Sequence, residues 1–128
     1  MAHPETEQRV RVVICDDAVG FPGLIWSWLA EAAGVEPVAL AKSATELLDV
    51  VGDLAPDVVL LDLMLPEGPT SPELVAQVRG LAPTTRIILV SSLPPALLAD
   101  EARRTGVDGW CPKATTPDDL RAVVTAVA

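Results

Sequence analysis

Short apolar runs alternate along the chain with segments whose apolar positions recur at helical spacing. The runs are rich in Val, Ile and Leu and predict five strands, over 10–15, 36–41, 57–62, 86–91 and 109–112. Helical patterns follow each of them, over 22–33, 43–54, 72–81, 95–105 and 117–127. We therefore predict an α/β fold, in which helices cover both faces of a single doubly wound five-stranded parallel sheet.

Capping residues set several of these helix boundaries. Ser43 and Glu46 have the spacing of a capping box at the start of the second helix. Ser71 is a predicted N-cap, and Pro72 then occupies the first helical position. Gly34 stands where the C-cap of the first helix is expected.

The composition describes one folded acidic domain. The chain has 128 residues, of which 50% are hydrophobic, and its net charge is −9. Such a surface repels phosphate backbones and anionic lipid, so we expect this domain to bind neither nucleic acid nor a membrane. Residues 1–8 are predicted to form a disordered lead that is not a signal peptide, and 9–128 a single domain. Without an export signal, Cys15 and Cys111 are expected to be reduced core residues of a cytoplasmic protein.

Polar side chains with related chemistry lie at or just after the carboxyl ends of four of the predicted strands. In chain order they are Asp16, Asp17, Asp62, Ser91, Ser92 and Lys113. The carboxyl ends of parallel strands meet at one rim of the sheet, so these side chains are expected to converge there. Two carboxylates 4 Å apart repel by on the order of 4 kcal/mol at an effective dielectric near 20, and a cation must offset that repulsion. Hard oxygen ligands at a partly open site favour magnesium, which often bridges to a phosphoryl oxygen.

Each of these residues alone has an ordinary structural interpretation. An Asp-Asp pair after a strand is common in turns and helix caps, Ser91 can simply end a strand, and Lys113 can be a solvated loop lysine. Their coincidence on the first, third, fourth and fifth strands favours a shared site, in which Ser91 and Lys113 contact a bound phosphoryl group.

These motifs together resemble the receiver domain of bacterial two-component response regulators, over residues 10–127. The matching segments are Val-Ile-Cys-Asp-Asp, Val-Val-Leu-Leu-Asp-Leu-Met-Leu-Pro, Ile-Leu-Val-Ser-Ser and Gly-Trp-Cys-Pro-Lys-Ala. The resemblance implies a flavodoxin-like fold with strand order 2-1-3-4-5. It also implies that Asp62 accepts a phosphoryl group from a histidine kinase or a phosphotransfer protein.

The resemblance assigns roles to the other rim residues. Asp16, Asp17 and the backbone carbonyl of Met64 would hold Mg²⁺ or Mn²⁺ together with Asp62. Ser91, followed by the small residue Ser92, would be the switch hydroxyl. Trp110 would be the aromatic side chain that turns inward when Ser91 moves, and Lys113 would neutralise the phosphoryl group.

Several positions depart from the family pattern. The segment from Glu67 to Pro72 is longer than usual and rich in proline, so its shape and its effect on phosphorylation kinetics are open. Ala114 follows Lys113 where a proline is common, so a cis bond after the lysine is not assumed. Phe21-Pro22-Gly23 is an unusual start for the first helix, and Trp110 is bulkier than the commoner tyrosine.

Two surfaces are candidates for partner contacts. Trp26 and Trp28 point about 200° apart on a helix, so one of them is expected to be partly exposed, either as a kinase contact or as an ordinary surface residue. The charged residues of 94–108 and of the last helix either pair across a homodimer or are solvated.

The resulting hypothesis is a phosphorylation-controlled signalling switch, which catalyses its own phosphoryl uptake and hydrolysis but is not otherwise an enzyme. The alternative is a receiver that serves as a phosphorylation-independent protein-interaction module. An aspartyl phosphatase would need a second acid two residues after Asp16, where Ala18 stands. Flavin binding would need a phosphate-binding loop after the first strand. A DNA-binding output domain elsewhere in a longer protein is compatible with the sequence.

Overall fold

The computed structural model describes residues 8–128, so the predicted disordered lead lies outside the described residues except for Gln8. Strands and helices follow in the order β1 Val10–Cys15, α1 Phe21–Glu31, β2 Val35–Ala41, α2 Ala44–Leu54, β3 Val58–Asp62, β4 Met64–Leu65, β5 Gly68–Pro69, α3 Pro72–Leu81, β6 Arg86–Ser91, α4 Pro95–Thr105, β7 Gly109–Pro112 and α5 Pro117–Val127. No helix in this part of the chain is long and apolar enough to cross a membrane.

Five strands form a parallel sheet in the order β2-β1-β3-β6-β7. Because β4 and β5 form a separate antiparallel pair, this is the predicted flavodoxin-like order 2-1-3-4-5. All five residues of β3 are buried, as expected for a central strand with helices on both faces. The strand order reverses between β1 and β3, so the carboxyl ends of these two strands border the crevice where such folds bind ligands.

The core consists of two apolar layers, one on each face of the sheet. Leu61 faces one layer with Leu47 of α2 and Val78 of α3, all of them fully buried. Leu60 faces the other layer with Ile25 of α1. Consecutive side chains of β3 therefore contribute to opposite layers, and this anchors the strand that ends at Asp62.

Side-chain caps begin three of the helices where the sequence predicted them. The Ser43 hydroxyl accepts a hydrogen bond from the Glu46 amide, the Ser71 hydroxyl from the Leu74 amide, and the Thr116 hydroxyl from the Asp119 amide, each at 3.1 Å. These contacts satisfy amides that have no partner within their own helix. The predicted starts of α2, α3 and α5 are thereby confirmed.

The first helix is shorter than predicted. It ends at Glu31 rather than near 33, and its C-cap is Ala32 in an extended conformation. The Ala32 amide donates to the Leu29 carbonyl at 3.1 Å, which tightens the last turn and ends the helix early. Gly34, expected as the C-cap, instead has a φ of 78° in the turn that leads into β2.

The segment after Asp62 contains a hairpin that the sequence did not predict. Met64 pairs with Pro69 and Leu65 with Gly68, and Pro66 and Glu67 form the turn between them. Strands of two residues are too short for an alternating pattern to be visible. Gly68 has a φ of 125°, which a residue with a side chain rarely adopts.

Trp26 and Trp28 both pack against the apolar layer beneath α1 and both have intermediate exposure, so the expected partial exposure is found at both tryptophans rather than at one. Leu24, 48% exposed, is the more solvent-accessible large apolar residue of that helix. Cys15 and Cys111 are both buried with free thiols, as expected. Burial raises the pKa of Cys15 to about 12, with smaller contributions from nearby acids, so this thiol is unreactive at neutral pH.

Candidate functional site

Three carboxylates converge at the rim formed by the carboxyl ends of β1 and β3. Asp16, Asp17 and Asp62 each place an oxygen within 4.8 Å of the other two. Asp16 and Asp62 are buried, at 4% and 7% exposure, whereas Asp17 is exposed. The structure therefore brings together the three acids predicted from the strand ends, and leaves one of them open to solvent.

Lys113, directly after β7, extends into the same cluster. Its ammonium lies 3.0 Å from Oδ2 of Asp16 and 3.2 Å from Oδ2 of Asp62. Its backbone amide donates to the Ser91 carbonyl at 2.8 Å, which ties the loop after β7 to the end of β6. With three carboxylates and one ammonium, the cluster has a formal charge of −2.

The pKa values of Asp62 and Lys113 are both raised, for different physical reasons. Burial and the neighbouring charge of Asp16 raise the pKa of Asp62, against the opposing effects of the Met64 amide and Lys113. Burial by itself lowers the pKa of Lys113, but the interactions with Asp16 and Asp62 outweigh it and raise that pKa. The ammonium is therefore firmly protonated, and the ionised form of Asp62 is costly without a further cation.

The donor set suits a hard divalent cation. All three groups are carboxylates, which Mg²⁺ and Mn²⁺ prefer over nitrogen or sulfur ligands. Exposure of Asp17 leaves room for the waters that Mg²⁺ usually retains. The Met64 amide donates to Oδ1 of Asp62 at 3.2 Å, so the backbone of Met64 lies beside the cluster, although the residue as a whole is 55% exposed.

The predicted switch residues occupy the neighbouring strands. Ser91 is buried, and its hydroxyl accepts a hydrogen bond from the Leu93 amide at 3.1 Å; Ser92 is exposed. Trp110 is 37% exposed and lines a surface groove together with Ala99 and Arg103 of α4. Trp110 therefore lies partly exposed beside α4.

Phe21 is a site residue whose role the sequence reasoning missed. Its ring centroid lies 4.9 Å from the Lys113 ammonium, within the range of a cation–π contact. A signal is present in the sequence, because Phe21-Pro22-Gly23 is an unusual start for a helix. Its partner, Lys113, lies more than ninety residues later in the chain, and the two side chains meet only in the folded protein.

Replacement of Lys113 by methionine is expected to lower the free energy of unfolding by about 2–4 kcal/mol, because two buried carboxylates lose their shared counterion. This loss is smaller than the largest values found for broken buried ion pairs, because the Lys113 side chain is 21% exposed and water partly screens its charge. The deficit should narrow as the pH falls and the carboxylates become protonated. Denaturant unfolding at several pH values measures it. Lys42→Met is the matched control, since Lys42 is the other lysine and is exposed. Equal stability of the two variants would contradict the ion-pair assignment.

The hairpin after Asp62 is fastened to the start of α2 by Glu67. Its carboxylate accepts hydrogen bonds from the amides of Ala44, at 3.0 Å, and of Thr45, at 3.4 Å. The hydrogen bond from the Ala44 amide is the main cause of a lowered pKa for Glu67, and it outweighs the opposing effect of burial. A carboxylate at a helix N-terminus is also favoured by the helix dipole.

The lowered pKa of Glu67 predicts a pH-dependent contribution to stability. This contribution is fully present above the ordinary value of 4.5 and is lost as the pH falls through the lower folded-state pKa. Glu67→Gln should therefore have a lower Tm than the wild type at pH 7, and the difference should shrink in acid. Glu73→Gln, at another exposed helix start, is the control. A difference between Glu67→Gln and the wild type that grows on acidification would refute the assignment.

Comparison with known proteins places this geometry in a family. The sequence profile of the response regulator receiver domain matches residues 12–125. NarL of Mycobacterium tuberculosis, named as a transcriptional regulatory protein, is 29% identical over 94% of this chain and 55% of its own length. A protein-glutamate methylesterase/protein-glutamine glutaminase of Myxococcus xanthus is 31% identical over 65% of this chain and 24% of its own. The chain thus spans about half or less of these relatives.

Solved structures agree with the profile. The signal receiver domain of NarL from M. tuberculosis superposes with a TM-score of 0.80 at 29% identity, covering 94% of this chain and 97% of that one. The chemotaxis protein CheY4 of Vibrio cholerae shares the fold, with a TM-score of 0.79 at 23% identity over 94% and 99% of the two chains. With its parallel sheet, its rim of acids and a profile match across most of its length, this chain belongs to the response regulator receiver domain family.

Proposed function

We propose that this domain is a phosphorylation-controlled switch in which Asp62 accepts a phosphoryl group from the phosphohistidine of a kinase or a phosphotransfer protein. The observation that carries the proposal is the position of Asp62: a buried carboxylate at the rim, flanked by two further acids and by Lys113. In the reaction, an oxygen of Asp62 forms a bond to phosphorus while the nitrogen–phosphorus bond of the donor breaks.

Asp16, Asp17, Asp62 and the backbone carbonyl of Met64 would hold Mg²⁺ or Mn²⁺. When bound, the ion would offset the negative charge that the carboxylates and the incoming phosphoryl oxygens share. The formal charge of −2 on the cluster supports this assignment. The exposure of Asp17 supports it as well, because a direct path to solvent is needed for the ion to enter.

The chain's own groups prepare Asp62 for its role. The Met64 amide holds Oδ1 and the Lys113 ammonium holds Oδ2, so the carboxylate plane is fixed before a donor arrives. Lys113 already contacts both Asp16 and Asp62, and it lies where it can stabilise negative charge on a phosphoryl group attached to Asp62.

Ser91 and Trp110 are the proposed readout of phosphorylation. Ser91 would exchange its hydrogen bond from Leu93 for donation to the phosphoryl group, and so shift the loop that begins α4. Trp110, which lies partly exposed beside α4, would then turn inward. Ser92 provides a small residue beside this movement.

Incubation with acetyl phosphate and Mg²⁺, followed by intact-mass measurement, tests the function. We expect one phosphoryl group per chain, and none when EDTA replaces Mg²⁺. An unmodified chain in the presence of Mg²⁺, with far-UV circular dichroism showing folded protein, would refute the proposal and favour a phosphorylation-independent interaction module. Incubation with a phosphorylated histidine kinase then tests the proposed donor.

The wider setting is part of the same proposal. Residues 9–128 would act as a single receiver domain in the cytoplasm, and would control an output domain or a partner protein. A DNA-binding output is one candidate, since NarL is named as a transcriptional regulatory protein. The net charge of −9 disfavours nucleic-acid binding by the receiver itself. Homodimerisation through the charged face of α4 and α5 is a further candidate.

A further inference from the structure

Thr70 lies at the end of the segment that follows Asp62 and forms hydrogen bonds back to the start of that segment. Its hydroxyl donates to the Asp62 carbonyl at 2.8 Å, and its amide donates to the Leu63 carbonyl at 2.6 Å. The residue is only 1% exposed, so water does not compete for these contacts. Thr70 therefore fixes the backbone of Asp62 from outside the ring of charged groups that surrounds the carboxylate.

Arg104, near the C-terminal end of α4, holds the other side of Thr70. Its guanidinium donates to the Thr70 carbonyl at 3.0 Å. Glu101, one turn earlier on α4, accepts a hydrogen bond from Nε of the same side chain and so orients the guanidinium. A continuous chain of contacts thus joins α4 to the backbone of Asp62 through Arg104 and Thr70.

Helix α4 is consequently attached to the candidate site near both of its ends. Ser91 contacts Leu93 in the loop just before α4, and Arg104 is the penultimate residue of the helix. Between them, fully buried Leu98 packs with Leu63, the residue directly after Asp62. A shift of α4 that follows Ser91 must therefore either break the Arg104–Thr70 contact or move the segment after Asp62 with it.

We propose that Thr70 and Arg104 are positioning residues that couple α4 to the phosphoacceptor by a route separate from Ser91 and Trp110. The inference rests on the proposed function of Asp62 and extends it. Loss of either contact should loosen the backbone of Asp62 and slow phosphoryl uptake, because small misplacements of a reacting group are costly. Because such coupling acts in both directions, phosphorylation of Asp62 should change how often the last turn of α4 opens.

Matched variants separate positioning from general stability. Thr70→Val removes the hydroxyl at nearly constant volume, and Thr70→Ser restores it. Arg104→Met removes the guanidinium but keeps the aliphatic stem. Arg103→Met is the surface control, since Arg103 is 73% exposed and also pairs one turn back, with Asp100. Arg79→Met is the control for loosening of the C-terminal end of α4. The Arg79 guanidinium donates a hydrogen bond to the carbonyl of Gly106, directly after α4, and does not bind Thr70.

The kinetic measurement is the rate of adduct formation with acetyl phosphate at saturating Mg²⁺, by intact mass. We expect uptake to fall about 10-fold in Thr70→Val and about 5-fold in Arg104→Met. Thr70→Ser, Arg103→Met and Arg79→Met should stay close to the wild-type rate. If Thr70→Val and Arg104→Met lower the Tm but react at the wild-type rate, their role is structural and the inference is wrong.

Hydrogen exchange tests the coupling without phosphorylation. In the unmodified protein, Arg104→Met should speed exchange at the amides of Met64 and Thr70, whereas Arg103→Met should leave them unchanged. Equal exchange in the two variants would overturn the coupling whatever the fate of Asp62. A wild-type chain that takes up no phosphoryl group would instead refute the proposed function, and the exchange result would then still decide whether α4 and the acceptor loop are coupled.

Discussion

Asp62→Asn is expected to form no phosphoryl adduct with acetyl phosphate and Mg²⁺ under conditions that fully modify the wild type. The amide has no anionic oxygen to attack phosphorus, and it removes one of the carboxylates that would hold the metal. The fold should survive, because the charge of Asp62 is itself costly: burial and Asp16 raise its pKa, so a neutral group is tolerated at this position. Intact mass measures the adduct and circular dichroism the fold.

Asp49→Asn is the matched control for that variant. Asp49 is an exposed acid on α2, so its replacement makes the same change of charge away from the rim. The control should be modified as the wild type is. An adduct of wild-type yield on folded Asp62→Asn would mean that another group accepts the phosphoryl group.

Asp17→Asn is expected to weaken Mg²⁺ binding by about 100-fold, since one unit charge within a few ångströms of a divalent ion is worth several kcal/mol even at a high effective dielectric. Asp17 is the exposed member of the trio, so its loss should leave the core intact. Metal-free Asp17→Asn should be no less stable than the wild type, because the substitution relieves repulsion with Asp16 and Asp62.

A Mg²⁺ titration of the phosphorylation rate measures this effect. The variant should need a far higher Mg²⁺ concentration for half-maximal rate, while the rate at saturation falls less. Asp53→Asn, an exposed acid of α2, is the control. A titration midpoint for Asp17→Asn equal to that of the wild type would remove Asp17 from the metal site.

Most of the fold was predictable because each element carries its own local signals. Strand β3 is a continuous apolar run that ends in an acid, and both properties can be seen in a window of five residues. Ser43, Ser71 and Thr116 are N-cap residues, and residues of this type predict the helices that begin after them. The end of α1 escaped prediction because Gly34 suggested a C-cap two residues beyond the actual one, Ala32.

The candidate site was predictable for a related reason. The acids, Ser91 and Lys113 lie at or just after the carboxyl ends of strands, and the parallel sheet alone makes these positions neighbours. The contacts that support the site were not predictable. Thr70 and Arg104 lie in a loop and on a helix surface, where no periodic pattern marks them, and their hydrogen bond exists only in the folded chain. The contact between the Phe21 ring and the Lys113 ammonium likewise exists only in the folded chain.

The most direct test of the central claim is to locate the phosphoryl group itself. The wild-type protein, phosphorylated with acetyl phosphate and Mg²⁺, is reduced with borohydride, which converts an aspartyl phosphate to homoserine, and is then mapped by peptide mass spectrometry. We predict homoserine at position 62 alone. Homoserine at position 16 or 17, or a phosphoryl group that resists reduction on a serine or threonine, would contradict the account.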